Sequence, residues 1–396
     1  MIDAPAVVAR LREIDARSGG ERVAWGDVWA AERERQDALV RELVPGVEIE
    51  SDAFANRWYV LPGAARDTVL LGSHSDCVPG GGWLDGILGV HAGIGALAAL
   101  AAQGRPPART VAVVDWADEE GTRFGRSLLG SSAATGRLSR AELDALGDAS
   151  TRVATFGFDT EALGTPSPRL ADVVAAVELH IEQGPILAAE GRPVAAVSGC
   201  LGVRRLRFTV SGAAGHAGAT PMPGRRDPVR AVARAITDVT ARAEAAGGLA
   251  TVGVLESEPS MPTAIPARCR FTLDLRHADG AVLTQLEADA LTAIDAAAAA
   301  SGCTTAAETL WAIEPIRFDA ALTGRAAAAA GHGTALVSGP LHDSAALAQA
   351  GIPATMLFAS SIGGVSHTRA EDTPERDLEA ALETFGALVV ELAATA

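Results

Sequence analysis

The 396-residue sequence predicts an α/β fold: a domain built on a central, mainly parallel sheet, interrupted by an inserted α+β domain. Three observations predict it. Short apolar runs (TVLLGSH, TVAVVDWAD, DVVAAVELHIEQG, ATMLFAS) alternate with helical patterns, as parallel sheets require. Most of these runs end at a chemistry-bearing residue, and ligands of such sheets gather at the carboxyl ends of strands. After about residue 205 the character changes to a β-α-β-β-α-β order, which suits a small antiparallel sheet with two helices on one face. The expected boundaries are 1–205 with 321–396 for the first domain and 206–320 for the insertion.

Taken in order, the first forty-odd residues read as helices, ending in VWAAERERQDALVRELV. RWYVL and TVLLGSH are strand-like, the second closing at His74. LGVHAGIGALAALAAQG reads as a helix on that sheet; its apolar stretch is too short and glycine-rich for a membrane span. TVAVVDWAD ends at Glu119-Glu120, and DVVAAVELHIEQG carries His180. Residues 138–170 are expected to be loop-rich with a short helix. In the insertion, RRLRFTVSG, LATVGVLES, ARCRFTLDLRH and TAAETLWAIEP read as strands. DPVRAVARAITDVTARAEAA, opened by Asp227-Pro228, and GAVLTQLEADALTAIDAAAAASG read as its helices. The first domain resumes with helix LTGRAAAAAG, strand ATMLFAS, loop SIGGVSH and a terminal helix.

Composition narrows the function. Hydrophobic residues make up 48% of the chain, enough for a buried core. A formal net charge of −16 argues against nucleic acid or an anionic membrane as partner, though local arginines can still hold an anionic small molecule. The chain has no lysine, which excludes Schiff-base, pyridoxal-phosphate and Walker-lysine chemistry. Four cysteines without CxxC spacing fit a reducing compartment, and the N-terminus has no signal-peptide pattern, so the expected location is the cytoplasm.

The chemistry lies in five separated strings: His74 in GSHSD, Asp85 in GGWLDG, Glu119-Glu120 in ADEEG, His180 in ELHIEQG and His367 in GGVSHT. Each string alone reads as a turn, a cap or a surface histidine. Together, with glycine or small residues beside each one, they read as parts of one metal site. Asp76 lies two residues beyond His74 on the same face of an extended segment, where its carboxylate could hold the imidazole. Asp85 sits in a glycine-flanked turn, where a carboxylate can bridge two ions. Glu119 and Glu120 are adjacent and point differently, so one binds metal while the other handles a proton. Histidine and carboxylate without cysteine suit Zn²⁺ or Mn²⁺, and also Co²⁺ or Ni²⁺.

These strings, with GHAGATPM, resemble the dinuclear-metal amidohydrolases of the N-carbamoyl-L-amino-acid hydrolase, allantoate amidohydrolase and β-ureidopropionase group, within the wider aminoacylase/carboxypeptidase clan. The resemblance implies that the α/β domain is catalytic and holds two divalent metal ions, and that the insertion is a lid that also forms a homodimer. It implies His74, Asp85 and His180 on one ion, Glu120 and His367 on the other, and Asp85 bridging. Glu119 would be the general base. His216 would stabilise an oxyanion, Arg276 would clamp a substrate carboxylate, and Gln183 would contact substrate. Ser366 beside His367, and His342 in the pair His342-Asp343, are further candidates for substrate binding.

The implied reaction is hydrolysis of a linear C–N amide bond in an N-carbamoyl (ureido) amino acid. Alternatives are allantoate or another ureide, an N-acyl amino acid or dipeptide, and, outside enzymes, an inactive metal- or amino-acid-binding homologue. Thr263 keeps the substrate open, because the family usually carries asparagine there and a hydroxyl cannot replace the amide's donor and acceptor. Cys77 and Trp83, close in sequence to His74 and Asp85, read either as packing residues or as an oxidisable thiol and a pocket wall.

Overall fold

Four strands lie side by side and parallel at the centre of the larger sheet in the computed structural model, which describes residues 1–331 and 333–394. Their order is Arg109–Trp116, Ala65–His74, Val173–Ile181, Ala354–Ala359. Antiparallel strands flank them: Arg57–Leu61 and Glu48–Ser51 on one side, Val194–Cys200 on the other. The parallel strands are buried along almost their whole length, so they read as continuous apolar runs with no alternation. Two of these flanking strands were not foreseen. Glu48–Ser51 is short and polar, and Val194–Cys200 (VAAVSGC) consists of small residues without alternation.

The chain divides into two compact units, Met1–Gly199 with Arg317–Ala396, and Cys200–Ile316. In the larger unit, helices Ala4–Ser18, Ile87–Ala101 and Glu375–Ala394 pack together, the last two also against the sheet. Ile87–Ala101 is buried on nearly every side, which explains its uniformly apolar sequence. An aromatic group fills another part of this unit: Trp25 lies edge-on to Trp29, with ring centroids 5.3 Å apart, and Trp58 to Trp116 at 5.7 Å. The segment expected to be loop-rich carries two short helices, Arg140–Asp144 and Ala149–Ala154, with a further helix, Leu129–Ala134, just before it.

The smaller unit has an antiparallel sheet in the order Leu255–Glu258, Arg268–His277, Gly202–Ser211, Thr304–Ile313. Leu206, Phe208 and Val210 alternate with more exposed neighbours, as do Cys269, Phe271, Leu273 and Leu275. This single apolar face packs on helices Pro228–Ala245 and Gly280–Ala300. The run LATVGVLES is not one strand. It splits into Leu249–Thr251 and Leu255–Glu258, both on Arg268–His277. A separate two-residue ladder pairs Gly215–His216 with Ala264–Ile265. Among the described residues no helix is long and apolar enough to cross a membrane.

Candidate metal centre

The ends of the central parallel strands assemble the site. His74 is the last residue of its strand, His180 the last but one of the next, and Glu119-Glu120 follow Arg109–Trp116 after a two-residue turn. That turn is fixed by Asp118, whose backbone is left-handed (φ 61°) and whose carboxylate accepts from Trp25 Nε1 at 2.6 Å and Gly121 N at 3.1 Å. Asp85 comes from the loop before helix Ile87–Ala101. Gly86 (φ +66°) makes that loop possible, since a Cβ there would lie 2.3 Å from the His74 ring.

Two groups of donor atoms form, sharing one carboxylate. His74, Asp85 and His180 make the first; Asp85, Glu120 and His367 make the second; within each, the donor atoms lie within 4.8 Å of one another. Asp85 Oδ1 is 3.2 Å from His180 Nε2 and 3.9 Å from His74 Nε2, while Oδ2 is 3.1 Å from His367 Nε2. His367 Nε2 is 3.5 Å from Glu120 Oε2. Glu119 belongs to neither group, and its Oε2 lies 3.8 Å from His74 Nε2.

The imidazoles are aimed. His74 Nδ1 contacts the Asp76 main-chain carbonyl at 3.1 Å, and His180 Nδ1 that of Ile181 at 2.9 Å. Each Nδ1–H therefore donates to a carbonyl, which leaves Nε2 as the candidate ligand atom. The Asp76 carboxylate does something else than the expected grip on the ring. It stands 3.7 Å from His74 Nδ1 and accepts the N–H groups of Glu119 and Glu120, each at 3.3 Å, which orients the acidic pair. Behind His74, Ser75 N and Oγ bond to Asp115 (2.9 and 2.8 Å), which is itself paired with the buried Arg33 at 2.9 Å.

Electrostatics favour cations here. Burial pushes the Glu119 carboxyl well above its ordinary range, and Asp343, Glu120, Asp76 and Asp85 push the same way. Burial, then Asp85, raises Glu120 to about 8. Burial also disfavours charge on Asp85, yet hydrogen bonds from His180 and His367 outweigh it and hold this carboxyl well below the usual range. Burial lowers His180, but the Asp85 carboxylate beside it prevails and brings it to about 9. Carboxylates crowded this closely must take up protons when no cation is near, and divalent cations would displace those protons and neutralise the charge. Oxygen and imidazole donors, without thiolate, fit two such ions.

A residue that sequence reasoning missed organises the bridging loop. Glu371, 2% exposed, accepts the N–H groups of Leu84 and Asp85 on Oε1, both at 3.0 Å, and the Ser366 hydroxyl on Oε2 at 2.8 Å. A Cβ at Gly82 would meet its carboxyl at 2.1 Å. Nothing in the polar string TRAEDT distinguishes this glutamate from a solvated one. A further row, Glu178, His180 and His342, lies behind the first group, but both Glu178 oxygens are committed, to Ser73 Oγ at 2.7 Å and Ser344 N at 3.0 Å.

The expected substrate contacts divide. Gln183 Nε2 donates to Asp85 Oδ2 at 3.1 Å and to Ser366 Oγ at 3.0 Å, so Gln183 and Ser366 both stand at the bridging carboxylate. His342 is displaced from the expected role. It is 2% exposed, its ring centroid is 4.4 Å from that of His180, and Nε2 lies 3.1 Å from Ser338 Oγ. From there it buttresses a ligand and has no surface to offer a substrate. Cys77 is a packing residue: burial raises its thiol to about 11, and it contacts the Gly20 carbonyl at 3.4 Å, so oxidation is not favoured. Trp83 packs under its turn, with Arg12 stacked 3.4 Å from its ring and Nε1 donating to Asp372 at 3.2 Å.

In the smaller unit, His216 is exposed and its Nδ1 accepts the N–H groups of Gly218 and Ala219, both at 3.1 Å. A ring nitrogen that accepts twice carries no proton, so the neutral ring is protonated on Nε2 and presents a donor there. Thr263 is beside it: its carbonyl accepts from Ala217 N at 2.9 Å, and Ala264 is the ladder partner of His216. Arg276 Nε donates to Asp274 Oδ1 at 2.8 Å, which sets the guanidinium plane.

Comparison with known proteins agrees with this geometry. The model of peptidase family M20/M25/M40 matches residues 70–391. An allantoate amidohydrolase of Bacillus subtilis is 33% identical, covering 88% of this chain and 87% of the relative. An N-carbamoyl-L-amino acid amidohydrolase of Geobacillus stearothermophilus is 34% identical, covering 92% of each. A crystal structure of a hydantoinase/carbamoylase family amidase from Burkholderia multivorans superposes with a TM-score of 0.90 at 30% identity, covering 100% of this chain and 98% of that one.

Proposed function

Since the chain belongs to peptidase family M20/M25/M40, we propose that it is a metal-dependent amidohydrolase whose substrate is an N-carbamoyl-L-amino acid, cleaved at the linear C–N amide bond. One observation carries the reading: two donor groups share Asp85, with the uncommitted carboxylate of Glu119 beside them. His74, Asp85 and His180 would hold one divalent cation, and Asp85, Glu120 and His367 the other, with Zn²⁺ or Mn²⁺ the best chemical match. Two such ions supply a Lewis acid and lower the pKa of water.

The chain's own groups do the rest. Glu119 Oε2 takes a proton from the attacking water and returns it to the leaving nitrogen; burial keeps this carboxyl basic enough for both steps. His216 donates Nε2–H to the oxygen that gains charge. Arg276 clamps the substrate carboxylate through its guanidinium fork. Gln183 contacts the substrate from its place at Asp85. One water and one ureido acid give the amino acid, carbon dioxide and ammonia.

A second reading is favoured by Thr263. It precedes the strand paired with His216, at the position where the resembled family grips the substrate with an amide, and its shorter side chain keeps allantoate or another ureide open. The homodimer implied by the resemblance would have an exposed sheet edge available, Leu255–Glu258 in the smaller unit. Four buried free cysteines are compatible with a cytoplasmic site of action.

The test is a panel of N-carbamoyl, N-acyl and ureide substrates with Mn²⁺, Co²⁺ and Zn²⁺, run on wild type and Glu119→Gln. Fastest turnover on N-carbamoyl-L-amino acids, abolished in Glu119→Gln with metal content retained, is expected. Undiminished activity in that variant would remove Glu119 from the reaction. Preference for allantoate would select the second reading.

A further inference from the structure

Helices Ala4–Ser18, Asp27–Leu43 and Ile87–Ala101 line a cleft of about 370 Å³ in the larger unit, distinct from the metal-ligand set. Ile14, Leu39 and Ile87 supply apolar wall. His91 lies on its lining, 1% exposed, and neither ring nitrogen has a hydrogen-bond partner. A buried polar group left so has lost its hydration without compensation, which a ligand would recover. Burial, with Arg10, Arg22 and Arg17 nearby, lowers the imidazole to about 3, so it is neutral, with one N–H to donate and one lone pair.

The same arginines make this a place for an anion. Arg22 is fully buried, gives Nε to Ser75 O at 2.9 Å and Nη1 to Ser18 Oγ at 3.0 Å, and leaves Nη2 without a partner. No carboxylate pairs with Arg22 or with Arg10 among the described residues. Arg17 and Arg35, also lining the cleft, share the single carboxylate of Glu32, at 2.9 and 2.7 Å. Glu13 is the other acid there, 3.9 Å from Arg17. Three arginines against two glutamates leave the lining positive on a chain of net charge −16, before the buried Arg22 is counted.

We propose that this cleft is a binding site for a small monocarboxylate with a short apolar body, the carboxylate meeting His91 and Arg10 and the hydrocarbon lying along Ile14 and Leu39. The match is chemical: an uncharged donor and a guanidinium for the head, aliphatic wall for the tail. Inorganic anions satisfy the first requirement only, and neutral amides the second only.

Isothermal titration calorimetry of the full-length, metal-loaded protein with sodium butyrate tests this, with butyramide and sulfate as controls. Butyrate is expected to bind once per chain, with affinity at least tenfold above butyramide and sulfate. Affinity should fall tenfold or more in Arg10→Gln and His91→Leu, and stay unchanged in Arg276→Gln, which removes the carboxylate clamp of the other unit. Arg10 is only partly buried, so its variant folds even where His91→Leu does not. No binding at about ten times a millimolar Kd, an unchanged affinity in Arg10→Gln, or a loss confined to Arg276→Gln would overturn the assignment. So would sulfate or butyramide binding as tightly as butyrate.

Discussion

The candidate metal ligands of the larger unit and the substrate-facing candidates of the smaller one are held in opposite ways. His74, Asp85 and His180 are 1–2% exposed and cross-bonded to one another, to main-chain carbonyls and to buried carboxylates. His216 and Thr263 are exposed, the first on a ladder only two residues long and the second just before its partner strand. His367 is the exception among the candidate ligands, half exposed on a loop with positive φ. The difference teaches that ion-holding groups need fixed geometry in low dielectric, whereas groups that meet a substrate must stay reachable.

Substitutions should break this contrast in graded fashion. Within this contrast the largest effect belongs to His216→Ala: kcat should fall about 10²–10³-fold with both metals retained, as the proposed role of oxyanion donor and not ligand requires. Rates and metal analysis on one preparation check this, and metal loss in the variant would count against the division of labour. Glu371→Ala should weaken metal binding about 10–100-fold, because the Leu84 and Asp85 N–H groups and Ser366 lose their shared acceptor. Competition with a chelator reads this out, and equal affinities would confine Glu371 to supporting the loop without bearing on metal binding. Thr263→Asn should leave metal content alone and shift relative kcat/KM across the substrate panel toward N-carbamoyl amino acids. An unchanged ranking would remove Thr263 from selectivity.

The smallest effect is on stability. Folding holds His91 near 3 against an ordinary 6.5, so the unfolded chain binds the extra proton between those values. Its contribution is intact above pH 6.5 and is lost as pH falls, by about 2 kcal/mol at pH 5. Denaturant titrations of wild type and His91→Leu should diverge in this way, and parallel pH profiles would contradict it.

Much of the larger unit was legible because buried parallel strands write themselves as apolar runs, and these runs stop where the chemistry begins. Ala65–His74 and Val173–Ile181 are such cases. Val194–Cys200 escaped because small residues without alternation carry no period. In the site, the ligand strings stood out through histidines and paired acids beside glycine. Glu371 did not, since its role comes from accepting N–H groups almost three hundred residues away in sequence. The Asp76 side chain was read by local geometry alone, and its partners turned out to be the main chain of a neighbouring strand's loop. His342 reads as a site residue because the pair His342-Asp343 matches the resembled family, which leaves substrate contact and a supporting role equally open; its burial behind His180 favours the supporting one.

The most direct test is a crystal structure of metal-loaded protein with anomalous scattering, paired with metal analysis of Asp85→Ala. Two cations per chain about 3.5–4 Å apart, both touching Asp85 and both lost in the variant, are predicted. A single cation, or two that persist without Asp85, would contradict the shared-carboxylate centre.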